Sequence, residues 1–123
     1  MLVTGGSRGI GFGIAKAYIA AGARVAINGR TEESVAAAIE KLGGGDNLFS
    51  APGDIGTVAG CKLAVKTAVD ALGGLDILVN SAGIMLYDTP TWTTTVEQWD
   101  EIIAVNLRGT FLTCRAVAPH MVD

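Results

Sequence analysis

The sequence predicts an α/β fold in which helices flank a parallel sheet of about four strands. Short apolar or β-branched runs alternate with longer stretches in which apolar residues recur at helical spacing. Glycines, which make up 17 of the 123 residues, fall at most junctions between the two patterns. Strands that alternate with helices of about 10–15 residues are joined by right-handed crossovers, so the strands should run parallel.

The four predicted strands are indicated with unequal strength. Residues 1–4 form a brief apolar run, and residues 24–28 are rich in β-branched side chains. Residues 47–51 give only a weak strand pattern. Residues 75–80 are almost continuously apolar, which is typical of a strand buried on both faces of a parallel sheet.

Helical periodicity predicts four helical regions between and after these strands. The first begins near Ile10, and the second follows Thr31, an expected N-cap with carboxylates at residues 32–33 where the helix dipole favours them. The third spans about residues 57–72, and the last runs from residue 96 towards residue 121. The apolar stripe of the third helix comprises Val58, Cys61, Val65, Ala68 and Leu72.

Composition and charge indicate a single globular domain over residues 1–123 and argue against other classes of protein. Half of the residues are apolar, and the length is that of one domain. The scattered basic residues and the net charge of −3 disfavour nucleic acid as a partner. Two cysteines and one histidine lack zinc-ligand spacing, so we expect no metal site. Without an apolar run of about 18 residues or a signal peptide, we expect a cytoplasmic protein that does not bind membranes.

A glycine-rich loop between the first strand and the first helix predicts a dinucleotide site. Residues 4–11 read Thr-Gly-Gly-Ser-Arg-Gly-Ile-Gly, with spacing Gly-x-x-x-Gly-x-Gly. Glycines allow a tight turn there and let the backbone approach a pyrophosphate at the helix N-terminus. The Gly-x-Gly-x-x-Gly spacing is absent because Ile14 takes the third position, and no Lys-Ser/Thr pair completes a P-loop. A glycine turn without a ligand is the simpler alternative.

The second strand ends without the carboxylate that NAD-binding proteins use to bind the ribose 2′-hydroxyl. Arg30 follows that strand, and Arg8 lies within the glycine loop. Either guanidinium could pair with a 2′-phosphate, although each could also be an ordinary surface charge. Together with the missing carboxylate, they favour NADP(H) over NAD(H).

Four segments resemble the short-chain dehydrogenases/reductases, and the resemblance covers essentially the whole chain. Residues 4–11 are similar to that family's TGxxxGxG coenzyme loop, and Asp54-Ile55 to the pair that flanks the adenine ring. Residues 80–83, Asn-Ser-Ala-Gly, resemble its NNAG segment, with Ser81 in place of the second asparagine. Asn106 matches the asparagine that helps to hold a proton-relay water.

The resemblance implies a Rossmann-like domain with a cofactor site and one catalytic-site residue, Asn106. The cofactor-binding residues that it and the loop pattern predict are Gly5, Ser7, Arg8, Gly9, Ile10, Gly11, Arg30, Asp54, Ile55, Asn80, Ala82 and Gly83. The family's catalytic serine and its Tyr-x-x-x-Lys pair are missing from this sequence. Four residues after the tyrosines at positions 18 and 87, the sequence has Gly22 and Thr91 in place of a lysine. The sequence thus resembles the N-terminal, cofactor-binding half of such an enzyme, without its C-terminal catalytic portion.

Besides a structural fragment that binds nothing because half of a cofactor site is too weak, two functions remain open at this point. The first is an NADP(H)-dependent oxidoreductase acting on a small alcohol or carbonyl substrate, with its Ser and Tyr-Lys residues supplied from elsewhere. The second is a non-catalytic NADP(H)-binding module. In both cases we expect a homo-oligomer, because a thin parallel sheet leaves an open edge beside residues 75–80. Competing structural interpretations are a helix-kinking role for Asn106, a turn or N-cap role for Asp54 and a strand-end turn role for Asn80.

Overall fold

The computed structural model describes residues 1–122 and contains one four-stranded parallel sheet, as the sequence predicts. The strands are β1 (Leu2–Thr4), β2 (Val25–Ile27), β3 (Leu48–Ser50) and β4 (Leu78–Asn80). Their spatial order is β3-β2-β1-β4, and every neighbouring pair is parallel. β1 therefore lies inside the sheet, which places the loop after it near the middle of the sheet's carboxyl edge.

The helices follow the strands in the predicted alternation, but the last helical region is not one continuous α-helix. The helices are α1 (Gly9–Ala20), α2 (Glu32–Lys41), α3 (Val58–Leu72), α4 (Val96–Ile102) and α5 (Gly109–Val117). A π-helical segment, Ile103–Arg108, joins α4 to α5. Short 3₁₀ turns cover Thr91–Thr93 and Ala118–His120.

The sheet separates two apolar clusters, so that the domain has three layers. Successive residues of a strand face opposite sides, and Leu2 and Val3 accordingly belong to different clusters. Val3, Val25 and Ile27 pack beneath α1 and α2, whereas Leu2 packs with α3 and α5. Each fully buried aliphatic side chain stabilises the fold by about 1.5–3 kcal/mol relative to an exposed one.

The fourth strand is shorter and less buried than its sequence predicts. Only Leu78–Asn80 pair with β1, and Leu78 and Val79 are half-buried. Among the described residues β4 has one neighbouring strand, so it forms an edge of the sheet. Its apolar sequence anticipates burial on both faces, which the described part of the chain provides only in part.

The predicted helix starts are confirmed at two threonines. Thr31 caps α2 by accepting a hydrogen bond from the backbone N–H of Ser34, and Thr57 caps α3 through the N–H of Gly60. Four residues of the predicted α3 stripe are buried, but Val58 is exposed because it occupies the first position of the helix. Burial raises the pKa of the Cys61 thiol in this stripe, so that thiol stays protonated at neutral pH. Within residues 1–122 no helix is long and apolar enough to cross a membrane.

Candidate dinucleotide-binding site

The glycine loop after β1 is packed so closely that it has no room for side chains at two of its glycines. Gly5 has a φ of +63°, and a Cβ there would lie 2.6 Å from Cα of Ala82. A Cβ on Gly11 would lie 2.5 Å from the carbonyl oxygen of Gly5. Real Cβ contacts of this length essentially do not occur, so the loop conformation requires glycine at both positions. Gly9 also has a positive φ of +56°, but its surroundings are open.

The same loop delivers the amino-terminal end of α1 to the carboxyl edge of the sheet. α1 begins at Gly9, and the preceding Arg8 provides no side-chain cap for it. Arg8, Gly9 and Ile10 are exposed. The first turn of a helix presents backbone N–H groups without intrahelical partners and carries partial positive charge. This end of the helix can therefore accept an anion such as a pyrophosphate.

Thr4 ties the end of β1 to the segment that follows β4. Its hydroxyl accepts hydrogen bonds from the backbone N–H groups of Ser81 (3.1 Å) and Ala82 (3.2 Å), and it can donate to the carbonyl of Val79 (3.3 Å). Thr4 is buried, so these bonds are protected from water. Ser81 donates its hydrogen bond to Thr4 through its backbone N–H group. The presence of serine, where the NNAG segment has its second asparagine, therefore does not remove this hydrogen bond.

Asn80 anchors α5 to the end of β4. Its side-chain oxygen accepts a 2.6 Å hydrogen bond from the hydroxyl of Thr113, which is fully buried. Its amide nitrogen donates to Cys114 Sγ at 3.4 Å. Asn80 is thus more than a strand-end turn residue, since its side chain fixes the position of a helix.

Asn106 lies in the π-helical segment and clamps the chain beyond the Asn-Ser-Ala-Gly segment. Its Oδ1 accepts from the backbone N–H of Ile84, and its Nδ2 donates to the carbonyl of the same residue, both at 2.8 Å. A Cβ added to Gly83 would lie 3.6 Å from Asn106 Oδ1. An amide has two N–H donors and an oxygen with two lone pairs, so one donor and one acceptor position remain for another ligand. The helix irregularity and the clamp therefore coincide at one residue.

The loop after β3 is fixed against the end of β2. The buried Asn28 donates through Nδ2 to the carbonyls of Ala51 (2.9 Å) and Gly53 (3.0 Å). Asp54 Oδ1 accepts from the N–H of Gly56 at 2.9 Å, which is an Asx turn. The helix cap is Thr57, so the turn interpretation of Asp54 is confirmed and its N-cap interpretation is wrong.

Ile55 is a buried residue of this loop, with 5% of its surface exposed. A Cβ on Gly109, the first residue of α5, would lie 2.9 Å from Ile55 Cδ1. The side chain of Ile55 consequently packs against the start of α5.

The two arginines expected to bind a 2′-phosphate are both exposed, and they have different surroundings. Arg8 follows Ser7, whose side chain lies close to the turn after β2. A Cβ added to Gly29 in that turn would be 3.1 Å from Ser7 Oγ. Arg30 Nη1 lies 4.0 Å from Glu101 Oε1 of α4. Sequence reasoning missed Glu101, because nothing in the pattern of α4 indicates that it reaches the end of β2.

An open apolar cavity of about 420 Å³ lies outside these motifs. None of the predicted cofactor residues lines it; the lining residues are Leu86, Thr91, Thr94, Thr95, Val96, Trp99 and Ile102. Trp92 and Trp99 are 87% and 59% exposed, so neither side chain is packed into the core of the described chain.

Comparison with known proteins agrees with this architecture. Residues 1–123 match the family described as short chain dehydrogenase. The chain is 40% identical over 123 residues to the 3-oxoacyl-[acyl-carrier-protein] reductase of Chlamydia pneumoniae, covering 99% of this chain and 49% of that protein. It is 38% identical over 125 residues to the D-threitol dehydrogenase of Mycolicibacterium smegmatis, covering 99% and 47%.

Solved structures give the same result. A 3-ketoacyl-(acyl-carrier-protein) reductase from Brucella melitensis, complexed with NADH, superposes with a TM-score of 0.90 and 34% identity, over 97% of this chain and 48% of the other. A dehydrogenase/reductase from Sinorhizobium meliloti 1021 gives a TM-score of 0.87 and 41% identity, over 99% and 49%. The chain spans about half the length of the curated relatives it matches.

Proposed function

Because the chain belongs to the short-chain dehydrogenase family, we propose that it is the cofactor-binding part of an NADP(H)-dependent oxidoreductase that acts on an alcohol or carbonyl substrate. The family is one of NAD(P)-binding oxidoreductases with a Rossmann-like fold. The preference for NADP(H), the substrate class and the roles of individual residues are our proposals.

The observation that carries the proposal is the close packing around the loop between β1 and α1, which leaves no room for a side chain at Gly5 or at Gly11. Cβ atoms on Gly5 or Gly11 would overlap with the backbone of Ala82 or of Gly5 itself. A loop built in this way brings backbone N–H groups close to a ligand, at the positive end of α1. A dinucleotide pyrophosphate has the charge and the compact shape that fit this loop.

The proposed preference for NADP(H) rests on the charges at the end of β2. The turn Asn28-Gly29-Arg30-Thr31 offers a guanidinium and no carboxylate, and Arg8 supplies a second guanidinium from the glycine loop. Arginine recognises a phosphate through paired charge-assisted hydrogen bonds. The relative from Brucella melitensis is complexed with NADH, so membership of the family leaves the choice of cofactor open.

Asn106 would contribute to the reaction as a positioning residue. The nicotinamide cofactor supplies the chemistry of hydride transfer. Asn106 holds the backbone of Ile84 through two hydrogen bonds, and its remaining donor and acceptor positions can hold a water. An amide neither releases nor takes up a proton near neutral pH. The proton donor that carbonyl reduction requires must therefore be another group.

Neither tyrosine of this sequence is followed by the lysine that would lower its pKa. Carbonyl reduction by this family's chemistry then needs a tyrosine and a lysine from outside the 123 residues, in a longer chain or in a partner. A non-catalytic NADP(H)-binding module is the second candidate function, because every recognisable motif except the one that contains Asn106 is on the cofactor side. A panel of carbonyl substrates with NADPH separates the two: turnover supports the enzyme, and saturable binding without turnover supports the module.

For the location of the protein we propose the cytoplasm. Cys61 is buried and Cys114 is exposed, and both are free thiols. Free cysteines persist in reducing compartments, where disulfides are rare.

The first test is a fluorescence titration with NADPH and, in parallel, with NADH, observed through Trp92 and Trp99. We expect saturable micromolar binding that is tighter for NADPH. The variant Arg30→Met should weaken NADPH binding about tenfold, as expected for a charge-assisted hydrogen bond on the surface, and leave NADH binding unchanged. Arg115→Met, which removes an exposed arginine from the far end of α5, is the matched control. Tighter binding of NADH by the unaltered protein would refute the preference for NADP(H).

A further inference from the structure

An ion pair connects the turn after β2 with α4, two parts of the chain that are distant in sequence. Arg30 Nη1 and Glu101 Oε1 are 4.0 Å apart. The two side chains are 73% and 60% exposed, so water and salt weaken their attraction. An interaction of this kind can adjust the availability of Arg30, but it cannot lock the arginine in place.

Contacts at the π-helical segment explain why Glu101 reaches the end of β2. Arg108 Nη2 donates a 2.8 Å hydrogen bond to the carbonyl of Gly56. A Cβ on Gly56 would lie 3.2 Å from Val105 Cγ2, so the π-helical segment packs directly on the loop after β3. Asn28 binds that loop to the end of β2. The neighbouring turn of α4 is thereby held near Arg30.

The position of this carboxylate matters for recognition of the adenosine ribose. Dinucleotide sites that prefer NAD place an acidic side chain at the end of the second strand, where it binds the 2′-hydroxyl and repels a 2′-phosphate. The turn after β2 lacks such a residue here. Glu101 brings a carboxylate to the same end of the site from a different element of the fold.

We propose that Glu101 is a specificity-determining residue that opposes the 2′-phosphate of NADP(H) by occupying Arg30. A phosphate monoester carries about −1.5 to −2 charge near neutral pH. To pair with Arg30 it must replace the Glu101 carboxylate, and it is repelled by that carboxylate as long as the two are close. Glu101 thus reduces the discrimination between NADPH and NADH that Arg30 provides. This inference rests on the proposed role of Arg30 in binding NADP(H).

The test is the substitution Glu101→Gln, which keeps the length of the side chain and removes its charge. We expect NADPH binding to tighten about two- to fivefold, the range set by exposed ion pairs, while NADH binding stays the same. The gain should decrease at about 1 M salt, where screening shortens to about 3 Å. The affinities for adenosine 2′,5′-bisphosphate and for 5′-AMP can be compared in the same way. These two ligands differ in the 2′-phosphate and lack the nicotinamide half of the cofactor.

Glu97→Gln is the matched control, since Glu97 is an exposed glutamate one turn earlier in α4. Within residues 1–122 Glu97 forms no ion pair, so its substitution should leave both affinities unchanged. In a protein that also carries Arg30→Met, the gain from Glu101→Gln should shrink. If Glu101→Gln tightened NADPH binding just as much in the Arg30→Met protein, Glu101 would not act by pairing with Arg30.

The outcomes separate this inference from the proposed function. If Arg30→Met weakens NADPH binding but Glu101→Gln leaves the ratio of NADPH to NADH affinity unchanged, the proposed role of Glu101 is refuted. The proposed preference for NADP(H) is then unaffected. If Arg30→Met has no effect on NADPH binding, the proposed role of Arg30 fails and the inference fails with it. If Glu101→Gln weakens NADH binding, the carboxylate binds the ribose hydroxyl, which contradicts its opposition to the phosphate.

Discussion

Two glycines of α1 lie two residues apart and differ sharply in their surroundings. A Cβ on Gly11 would meet the carbonyl oxygen of Gly5 at 2.5 Å, whereas a Cβ on Gly13 has nothing within 4 Å. Gly13 is an exposed helical residue, and glycine in that setting costs about 0.5–1 kcal/mol relative to alanine. The same substitution should therefore have opposite effects at the two positions.

We expect Gly11→Ala to lower the free energy of unfolding and to weaken NADPH binding at least tenfold, because the glycine loop must open to admit the methyl group. Gly13→Ala should raise the free energy of unfolding by about 0.5–1 kcal/mol and leave binding unchanged. Urea denaturation and the fluorescence titration measure the two quantities. If both variants bound NADPH like the unaltered protein, the packing of the glycine loop would not be what forms the site.

At the scale of elements, the π-helical segment depends on a side-chain clamp. Asn106 makes both of its hydrogen bonds to Ile84 in a partly exposed setting. We expect Asn106→Ala to lower the free energy of unfolding by about 1–3 kcal/mol, since each such bond contributes about 0.5–1.5 kcal/mol. Exchange of the Ile84 amide hydrogen with solvent should become faster, because its acceptor is lost.

Two further variants test whether the clamp is specific to Asn106. Asn106→Asp keeps the acceptor for the Ile84 N–H but replaces the donor with an oxygen that faces the Ile84 carbonyl, so it should destabilise the protein as well. Asn47→Ala removes a single hydrogen bond to the carbonyl of Ala23, elsewhere in the fold. It should leave exchange at Ile84 unchanged. Unaltered exchange at Ile84 in Asn106→Ala would show that the segment holds its position without the clamp.

The sequence predicts those elements whose causes are local. Thr31 and Thr57 cap helices, and such a cap needs only the threonine hydroxyl and a backbone N–H group three residues further along the chain. The alternation of strands and helices along the sequence likewise predicts the parallel sheet. The π-helical segment contains Asn106, which makes two hydrogen bonds to Ile84, and the approach of Glu101 to Arg30 depends on packing at Gly56. Periodicity within a helix contains neither kind of information. The sequence offers a kink at Asn106 only as an alternative interpretation, and it indicates neither the π-helical form nor the position of Glu101.

On the scale of the whole molecule, two kinds of surface remain uncovered within residues 1–122. β4 has a free side, since only β1 pairs with it. Large apolar side chains also project from the α4–α5 region; these are Val96, Trp99, Leu107 and Phe111. Leu107 and Phe111 are four residues apart, so they share one side of the helical backbone. Open strand edges and exposed apolar groups of this extent favour association.

We therefore predict that the protein is at least dimeric at tens of micromolar concentration, which sedimentation velocity can measure. Phe111→Lys should shift the equilibrium towards monomer, because burying the introduced ammonium against another copy is costly. Leu63→Lys makes the same change at an exposed leucine of α3 and serves as the control. Equal effects of the two substitutions would indicate non-specific hydrophobic association. If the unaltered protein is a monomer, the prediction is refuted. A dimer that persists in Phe111→Lys would show that Phe111 is not essential to the contact. The free edge of β4, which associates through backbone hydrogen bonds, would then be the next surface to test.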